Sequence, residues 1–243
     1  MSIGKEFMLK TQYPHMGETD QKRGLPPPPL ELSVDPSLPC IDLPHPAALT
    51  LPPVILRDLI EQRTTVRKYS PEPLTLAELS YLLWCTQGVK WSSPPDATRR
   101  TVPSAGARHP FETYLLVNRV DGLTPGLYRF LATQHKLIAL NLESDITQEV
   151  MKACLGQQQV GKCAVMFLWV AVVERCVYRY GERGYRYMHL DAGHVCQNLY
   201  LAAEMIGGGV CALAAYDDDS LNSVLGLDGE TLFVIYAGTV GKK

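Results

Sequence analysis

The chain has 243 residues, 46% of them apolar and 20% charged, with a formal net charge of −2. This is the composition of a globular chain with a core of its own, and it excludes global disorder. The near-balanced charge lacks the basic footprint of a nucleic-acid binder or a polybasic membrane anchor.

The first 53 residues hold 11 of the 18 prolines, including the run Pro26–Pro27–Pro28–Pro29. Proline fixes φ and lacks a donor, so this stretch reads as an extended arm and cannot supply a helix or a central strand. Apolar residues within it (Leu30, Leu32, Leu38, Ile41, Leu43) favour docking on the domain or on a partner. The reading is therefore an arm over residues 1–53 and a folded domain over 54–243. The N-terminus has no apolar block of signal-peptide length. No apolar run reaches the ~20 residues of a membrane helix, the longest spanning residues 163–173.

Within the domain, apolar spacing predicts a short helix over 54–63. Thr75 and Glu78 form a capping-box signature, opening a helix that Gly88 stops. Residues 90–100 read as a polar, proline-bearing loop. A strand follows over 112–118, then a hairpin of 126–131 and 136–141. A helix is expected over 145–156, and a strand buried on both faces over 164–173. Residues 187–206 repeat apolar positions at helical spacing and end in Gly207–Gly208–Gly209. A strand over 210–216, a helix over 218–225 and a strand over 231–237 complete the chain. This mixture is α+β, without regular βαβ alternation.

The seven cysteines are odd in number and form no CxxC, which argues against a disulfide framework or zinc ribbon. Cys154, Cys163, Cys196 and Cys211, in apolar contexts, read as small core hydrophobes, and the chain as a reduced, cytoplasmic protein. No metal site is expected, because His189, Asp191 and His194 lack metal-ligand spacing. Asp191, His194 and Cys196 suggest a nucleophile and its base, yet residue 196 leaves the helix face that 191 and 194 share. Gly207–Gly209 runs from helix to strand, opposite to a dinucleotide loop.

Three segments carry chemistry. Arg63 and Arg67 flank Thr64 and Thr65, a pattern that can converge on a phosphate or serve as a solvated helix terminus. The small-residue loop Pro103, Ser104, Ala105, Gly106, Ala107 leads through His109 towards a strand, and lets backbone approach a flat ligand. Residues 175–187, RCVYRYGERGYRY, interleave cations and tyrosines, suiting either an aromatic ligand or a solvated surface.

In order, RTTVRKYSPEPLTLAELSYLLWCTQG, RTVPSAGARHPFETYLLV, GLYRF, ERCVYRYGERGYRYMHLDAGHVCQNLYLAAEMIGGG, AAYDDDSLNSVLGL and VIYAGTVGK resemble the nitroreductase superfamily. Within it they resemble the SagB/ThcOx-type dehydrogenase branch. The resemblance covers residues 57–242. It implies a nitroreductase-like α+β fold, with a central, mostly antiparallel sheet flanked by helices in an intertwined homodimer. It also implies one FMN per site at the subunit interface. By this resemblance Arg63, Thr64, Thr65 and Arg67 hold phosphate and ribityl, and Lys242 completes the phosphate site. Pro103, Ser104, Ala105, Gly106 and Ala107 cover the flavin from the partner chain. Ala107 stands where many members carry Asn, and His109 where many carry Gln or a bulky residue. Leu213, Ala214 and Ala215 match the strand whose amides face flavin N5.

Arg179 and Tyr180 match the branch's catalytic Lys-Tyr pair. Arginine is no base near neutral pH, so Tyr180 is left to donate or relay a proton. The implied activity is ping-pong hydride transfer, with NAD(P)H reducing the flavin and a nitroaromatic, quinone or related small molecule accepting. The branch-level alternative is oxidation of a peptide azoline to an azole. A second alternative is a flavin-binding partner protein without turnover.

Overall fold

The structure, a computed structural model, describes residues 1–94 and 97–243. The arm opens with α1 (Ile3–Lys10) and later supplies β1 (Cys40–Asp42). The helix corrects the expectation that this segment stays extended: its eight residues contain no proline. In the domain follow α2 (Leu56–Gln62), α3 (Leu76–Gln87), β2 (Val89–Ser93), β3 (Ala97–Arg100), β4 (Phe111–Val117), β5 (Gly126–Leu131) and β6 (Lys136–Asn141). Then come α4 (Ile146–Ala153), α5 (Gln158–Lys162), β7 (Val165–Val172), α6 (Val173–Tyr180), α7 (Arg183–Met205), β8 (Gly208–Leu213), α8 (Asp218–Val224) and β9 (Leu232–Lys242).

The main sheet has the order β1-β6-β5-β4-β7-β9-β8, and its neighbouring strands pair antiparallel. Central β7 is buried along its whole length, as its unbroken apolar run predicts. Its side chains alternate between two cores. Val165, Phe167, Trp169 and Ala171 face the layer of α3 and α7, where Leu82, Leu83, Val195 and Leu199 pack. Met166, Leu168 and Val170 face the layer of α4 and α8, with Val150 and Leu221. The result is an α+β sheet covered by helices on both faces.

The capping box at Thr75 forms in full: Thr75 Oγ1 accepts from Glu78 N and Glu78 Oε2 accepts from Thr75 N. The loop expected over 90–100 is instead largely the antiparallel β2–β3 hairpin, with Pro95 and Asp96 outside the described residues. Its strands are polar, so the apolar alternation that reveals a half-buried strand is missing; the guanidinium of Arg99 lies over the ring of Trp91 at 5.2 Å.

Helix α6 was not expected. Its first turn continues the apolar run of β7, which hides the boundary, and Val173 is helical where a strand residue was expected. Strand β8 begins at Gly208 and ends at Leu213, so Ala214, Ala215 and Tyr216 follow the strand. Strand β9 continues to Lys242 through Gly238 and Gly241. A Cβ on Gly241 would lie 2.8 Å from the Tyr69 ring, so glycine there marks a close approach and not a turn.

The arm is fastened by charged groups. Arg183 donates to Thr11 O and Arg186 to Met8 O, capping the end of α1. Further on, Arg175 donates to Pro29 O and forms a buried 2.6 Å ion pair with Glu112, which accepts from Leu32 N. Arg129 donates to the carbonyls of Leu32 and Ser33. Donor-only guanidinium groups thus meet a proline-rich backbone that mostly offers acceptors.

Candidate active site

The expected site residues fall into two groups, joined by α7. The first lies along the free edge of β8. There Thr65 forms a parallel bridge with Val210, and Val66 N donates to Val210 O at 2.8 Å. The approach is close because residue 209 has no side chain: a Cβ there would stand 2.5 Å from a Val66 methyl. N–H and C=O groups alternate sides along a strand. The edge that carries the Val210 carbonyl therefore also carries the Ala212 amide, and continues towards Ala214. Leu213 points its backbone inward to its partner Ala237, so its amide does not face this edge as expected.

Tyr200, from α7, closes this group. Its Oη accepts from Ala212 N at 3.1 Å and lies 3.3 Å from Thr65 Oγ1. Tyr200 thus bonds the Ala212 amide and the Thr65 hydroxyl at once. The Arg63 guanidinium sits over the same ring, 5.3 Å from its centroid. Arg67 lies beside the Cys211 thiol. Thr64, Thr65 and Arg67 are exposed and Arg63 half-buried, so the cations face outward from a backbone edge. Tyr200 was missed from sequence. It lies inside a long apolar-patterned helix, where a tyrosine reads as packing.

The second group surrounds Gly106. Residues 104–109 turn tightly, with Gly106, Ala107 and His109 in the left-handed region at φ 57°, 53° and 44°. Asp191 of α7 is buried and accepts from Ser104 Oγ at 2.6 Å and Ala105 N at 3.1 Å. Ser104 Oγ in turn accepts from His109 N at 2.9 Å. A Cβ on Gly106 would lie 2.4 Å from Tyr180 Oη and 3.0 Å from the Arg179 side chain. The turn and the Arg179–Tyr180 pair thus pack against one another. The Tyr180 ring meets Tyr187 edge-on at 4.7 Å. Burial raises the Tyr180 phenol above its ordinary range, and neighbouring Arg179 opposes that shift. The phenol therefore stays protonated at neutral pH, the state a donor needs. Burial lowers Arg108, with Arg179 beside it adding to the effect.

Two expected residues are placed elsewhere. Lys242 donates to Glu78 Oε1 and, at 2.7 Å, to Ile206 O. Its ammonium neutralises a half-buried carboxylate and caps the end of α7, so it does not join the arginines. His109 is buried; burial and the adjacent Arg100 and Arg108 push its imidazole down to about 3. It is neutral at physiological pH. The nucleophile reading fails, since Asp191 is engaged with the turn and burial pushes the Cys196 thiol up to about 12. Among the described residues, no cluster of three or more His, Cys, Asp or Glu is arranged to hold a metal ion, and no helix is long and apolar enough to cross a membrane.

The two groups are separated along α7. Tyr200 lies nine positions beyond Asp191, about 14 Å at helical rise. Beside the first group, α2, α3 and α7 leave an apolar cleft of 380 Å³ bordered by Leu59, Tyr81, Trp84 and Met205. Ile55, Leu56 and Ile60 stand exposed on α2 and just before it.

The residues fit FMN. A flavin phosphate requires cations near free backbone or hydroxyl donors, which Arg63, Arg67, Thr64 and Thr65 present at one edge. A flat ring requires close backbone approach, which the small, exposed Ala214 and Ala215 just beyond the β8 edge allow.

The fold is an antiparallel α+β sheet covered by helices on both faces, with a cationic strand edge and a glycine turn. The chain belongs to the nitroreductase family, whose profile matches residues 60–242. It is 34% identical over 183 residues to the nitroreductase-type protein MJ1384 of Methanocaldococcus jannaschii, covering 75% of this chain and 90% of that protein. It is 31% identical to the trifolitoxin-processing protein TfxB of Rhizobium leguminosarum bv. trifolii, across 62% of this chain and 41% of TfxB. Identity to the microcin B17-processing protein McbC of Escherichia coli is 28%, across 58% of this chain and 54% of McbC. A crystal structure of a nitroreductase-type protein from Ralstonia eutropha shares the fold at TM-score 0.68 and 25% identity, covering 90% of this chain and 95% of that one. The E. coli McbBCD complex with truncated pro-MccB17 bound has a chain of the same fold at TM-score 0.62 and 20% identity, covering 99% and 92%. A Desulfovibrio desulfuricans structure in complex with FMN shares it at TM-score 0.54 and 18% identity, covering 78% and 87%.

Proposed function

We propose that the protein is an FMN-dependent oxidoreductase that works as a homodimer. The observation that carries this reading is the separation of the candidate site residues into two groups, which we read as two half-sites of one binding surface. Tyr200, which closes the phosphate-type edge of Arg63–Arg67 and β8, lies about 14 Å along α7 from Asp191, which holds the glycine turn. A second copy related by a two-fold axis would present its turn to the first copy's edge. The exposed Ile55, Leu56 and Ile60 and the apolar cleft beside the edge supply the surface such a partner would cover.

In this reading Arg63 and Arg67 neutralise the phosphate, while Thr64 and Thr65 bond its remaining oxygens and the ribityl chain. Tyr200 fixes the β8 edge so that the amides beyond Ala212 meet the ring edge-on. The residues 103–107 of the partner exclude water from the ring's open face. Bound flavin supplies two-electron redox chemistry, and the protein supplies position and electrostatics. The donor is NAD(P)H, and the acceptor is a nitroaromatic, quinone or related small molecule. Tyr180, protonated and beside the turn, donates a proton to the bound acceptor.

A second reading, oxidation of a peptide azoline to an azole, is supported by the similarity to two peptide-processing proteins. Arg179 stands against it, because a guanidinium cannot take up the proton that this oxidation releases. Anaerobic mixing with NADPH or NADH separates the readings. Bleaching of the oxidised-flavin band supports the nicotinamide-linked reductase. Bound flavin that neither donor bleaches removes it and leaves the azoline oxidase or the flavin-binding partner without turnover.

A further inference from the structure

We propose that Asp191 is a positioning residue: its buried carboxylate clamps the 104–109 turn against Tyr180 and so shapes the half-site that covers the flavin. The proposal rests on the flavin reading for its consequence, though the clamp itself does not.

Helix α7 turns a stripe of Met188, Ala192, Val195 and Leu199 into the core. Asp191 lies on this buried side and is 3% exposed. Burying a carboxylate there is unfavourable unless donors surround it. Burial does raise the group above the ordinary carboxylate range, while the bonds from Ser104 and Ala105 pull it back. Both donors come from one turn, so what Asp191 compensates is the shape of that turn.

The geometry shows why the turn needs it. Ser104 Oγ donates to Asp191 Oδ2 at 2.6 Å and accepts from His109 N at 2.9 Å. Ala105 N donates to Asp191 Oδ1 at 3.1 Å. The carboxylate therefore holds the start of a six-residue segment, and the Ser104 hydroxyl that it orients ties in the far end at His109. Inside it, Ala107 and His109 hold left-handed conformations that side chains with a Cβ avoid. Such conformations persist only where surrounding contacts over-determine them. The same segment carries Gly106, whose bare Cα is what admits Tyr180 Oη. If the clamp opens, the turn relaxes, and the surface it forms with Tyr180 changes. Asp191 is buried and its hydrogen bonds run to Ser104 and Ala105, so it acts through them.

The test uses D191N, S104A and the double variant of the full chain. Asparagine keeps the size of the side chain but turns one acceptor arm into a donor, so either Ser104 or Ala105 loses its acceptor. Hydrogen exchange read by mass spectrometry reports on peptides spanning 104–109, and quenching of FMN fluorescence reports affinity. The expected result is exchange over 104–109 roughly tenfold faster in D191N with β7 unchanged, and FMN bound about tenfold more weakly. S104A alone weakens both readouts, and adding it to D191N changes little, because the two residues act through one bond. A merely structural loss would accelerate exchange in β7 as well. Exchange over 104–109 at the wild-type rate in D191N, or fully additive effects of the two substitutions, overturns the proposal. S104A leaves the carboxylate bonded to Ala105, so it decides the matter if D191N does not fold. Faster exchange in D191N, with no FMN bound even by the wild type, upholds the clamp and removes the flavin reading.

Discussion

Thr65 and Tyr200, 135 positions apart in sequence, meet with their hydroxyl oxygens 3.3 Å apart. Tyr200 also accepts from Ala212 N, so one phenol joins the arginine segment, the long helix and the strand edge. This junction orders the proposed phosphate surface before any ligand arrives. Y200F would leave the Ala212 amide without its acceptor and free Thr65. A lost hydrogen bond of this type is worth about 1–2 kcal/mol. The expected outcome is FMN affinity lower by roughly 5- to 30-fold, measured by fluorescence titration, with a small change in melting temperature.

Arg63 and Arg67 should act together and through charge. Exposed cations lose much of their attraction as salt rises. R63A and R67A are expected to weaken FMN binding by about tenfold each. Their riboflavin binding should match the wild type's, because riboflavin has no phosphate. Equal losses for FMN and riboflavin would show that the arginines act on the ring side instead.

Lys242 gives the opposite pattern. Its ammonium pairs with Glu78, both side chains being 12% exposed. Removing one member of a buried pair leaves the other uncompensated, at a cost of about 3 kcal/mol where burial is complete and less here. K242A should therefore lower the denaturant midpoint while leaving FMN affinity within about twofold of wild type. A large affinity loss at unchanged stability would return Lys242 to the phosphate site.

Gly106 admits Tyr180 only because it lacks a Cβ, and its φ of 57° strains any other residue. G106A is expected to cost about 1–2 kcal/mol from the left-handed backbone alone. It should also displace the Tyr180 hydroxyl, lowering turnover of the reduced enzyme with quinone or nitroaromatic acceptors by at least about tenfold. Y180F should reproduce the turnover loss without the stability loss.

His109 predicts a pH dependence of stability. Its imidazole titrates at about 3 in the folded chain, against 6.5 when free. Below pH 6.5 the unfolded chain takes up a proton that the folded chain refuses. Stability is therefore whole above pH 6.5 and lost progressively as pH falls from there to about 3. H109Q should flatten the fall in denaturant midpoint between pH 7.5 and 5. An unchanged slope would mean that the imidazole is protonated in the folded state.

Sequence alone exposed most of the scaffold, because the scaffold rests on local signals. The capping box at Thr75 and the unbroken apolar run of β7 each name an element without reference to the rest of the chain. The resemblance then supplied the order of the motifs and hence the fold. What stayed hidden depends on distant partners. Nothing in the polar segment around Trp91 and Arg99 marks a hairpin, since it has no apolar face. Lys242 sits where a cation is wanted, and only the fold shows Glu78 and the end of α7 taking it first. Asp191 and Tyr200 lie within one helix pattern, and their roles arise from residues nearly 90 and 135 positions earlier.

The most direct test of the central claim is the visible spectrum of the purified protein, with released flavin identified by mass and its amount set against the mass in solution from light scattering. The account predicts about one FMN per chain on a species of twice the chain mass. A colourless dimer that refuses added FMN, or a monomer that binds it fully, would contradict the joining of two half-sites across a subunit interface.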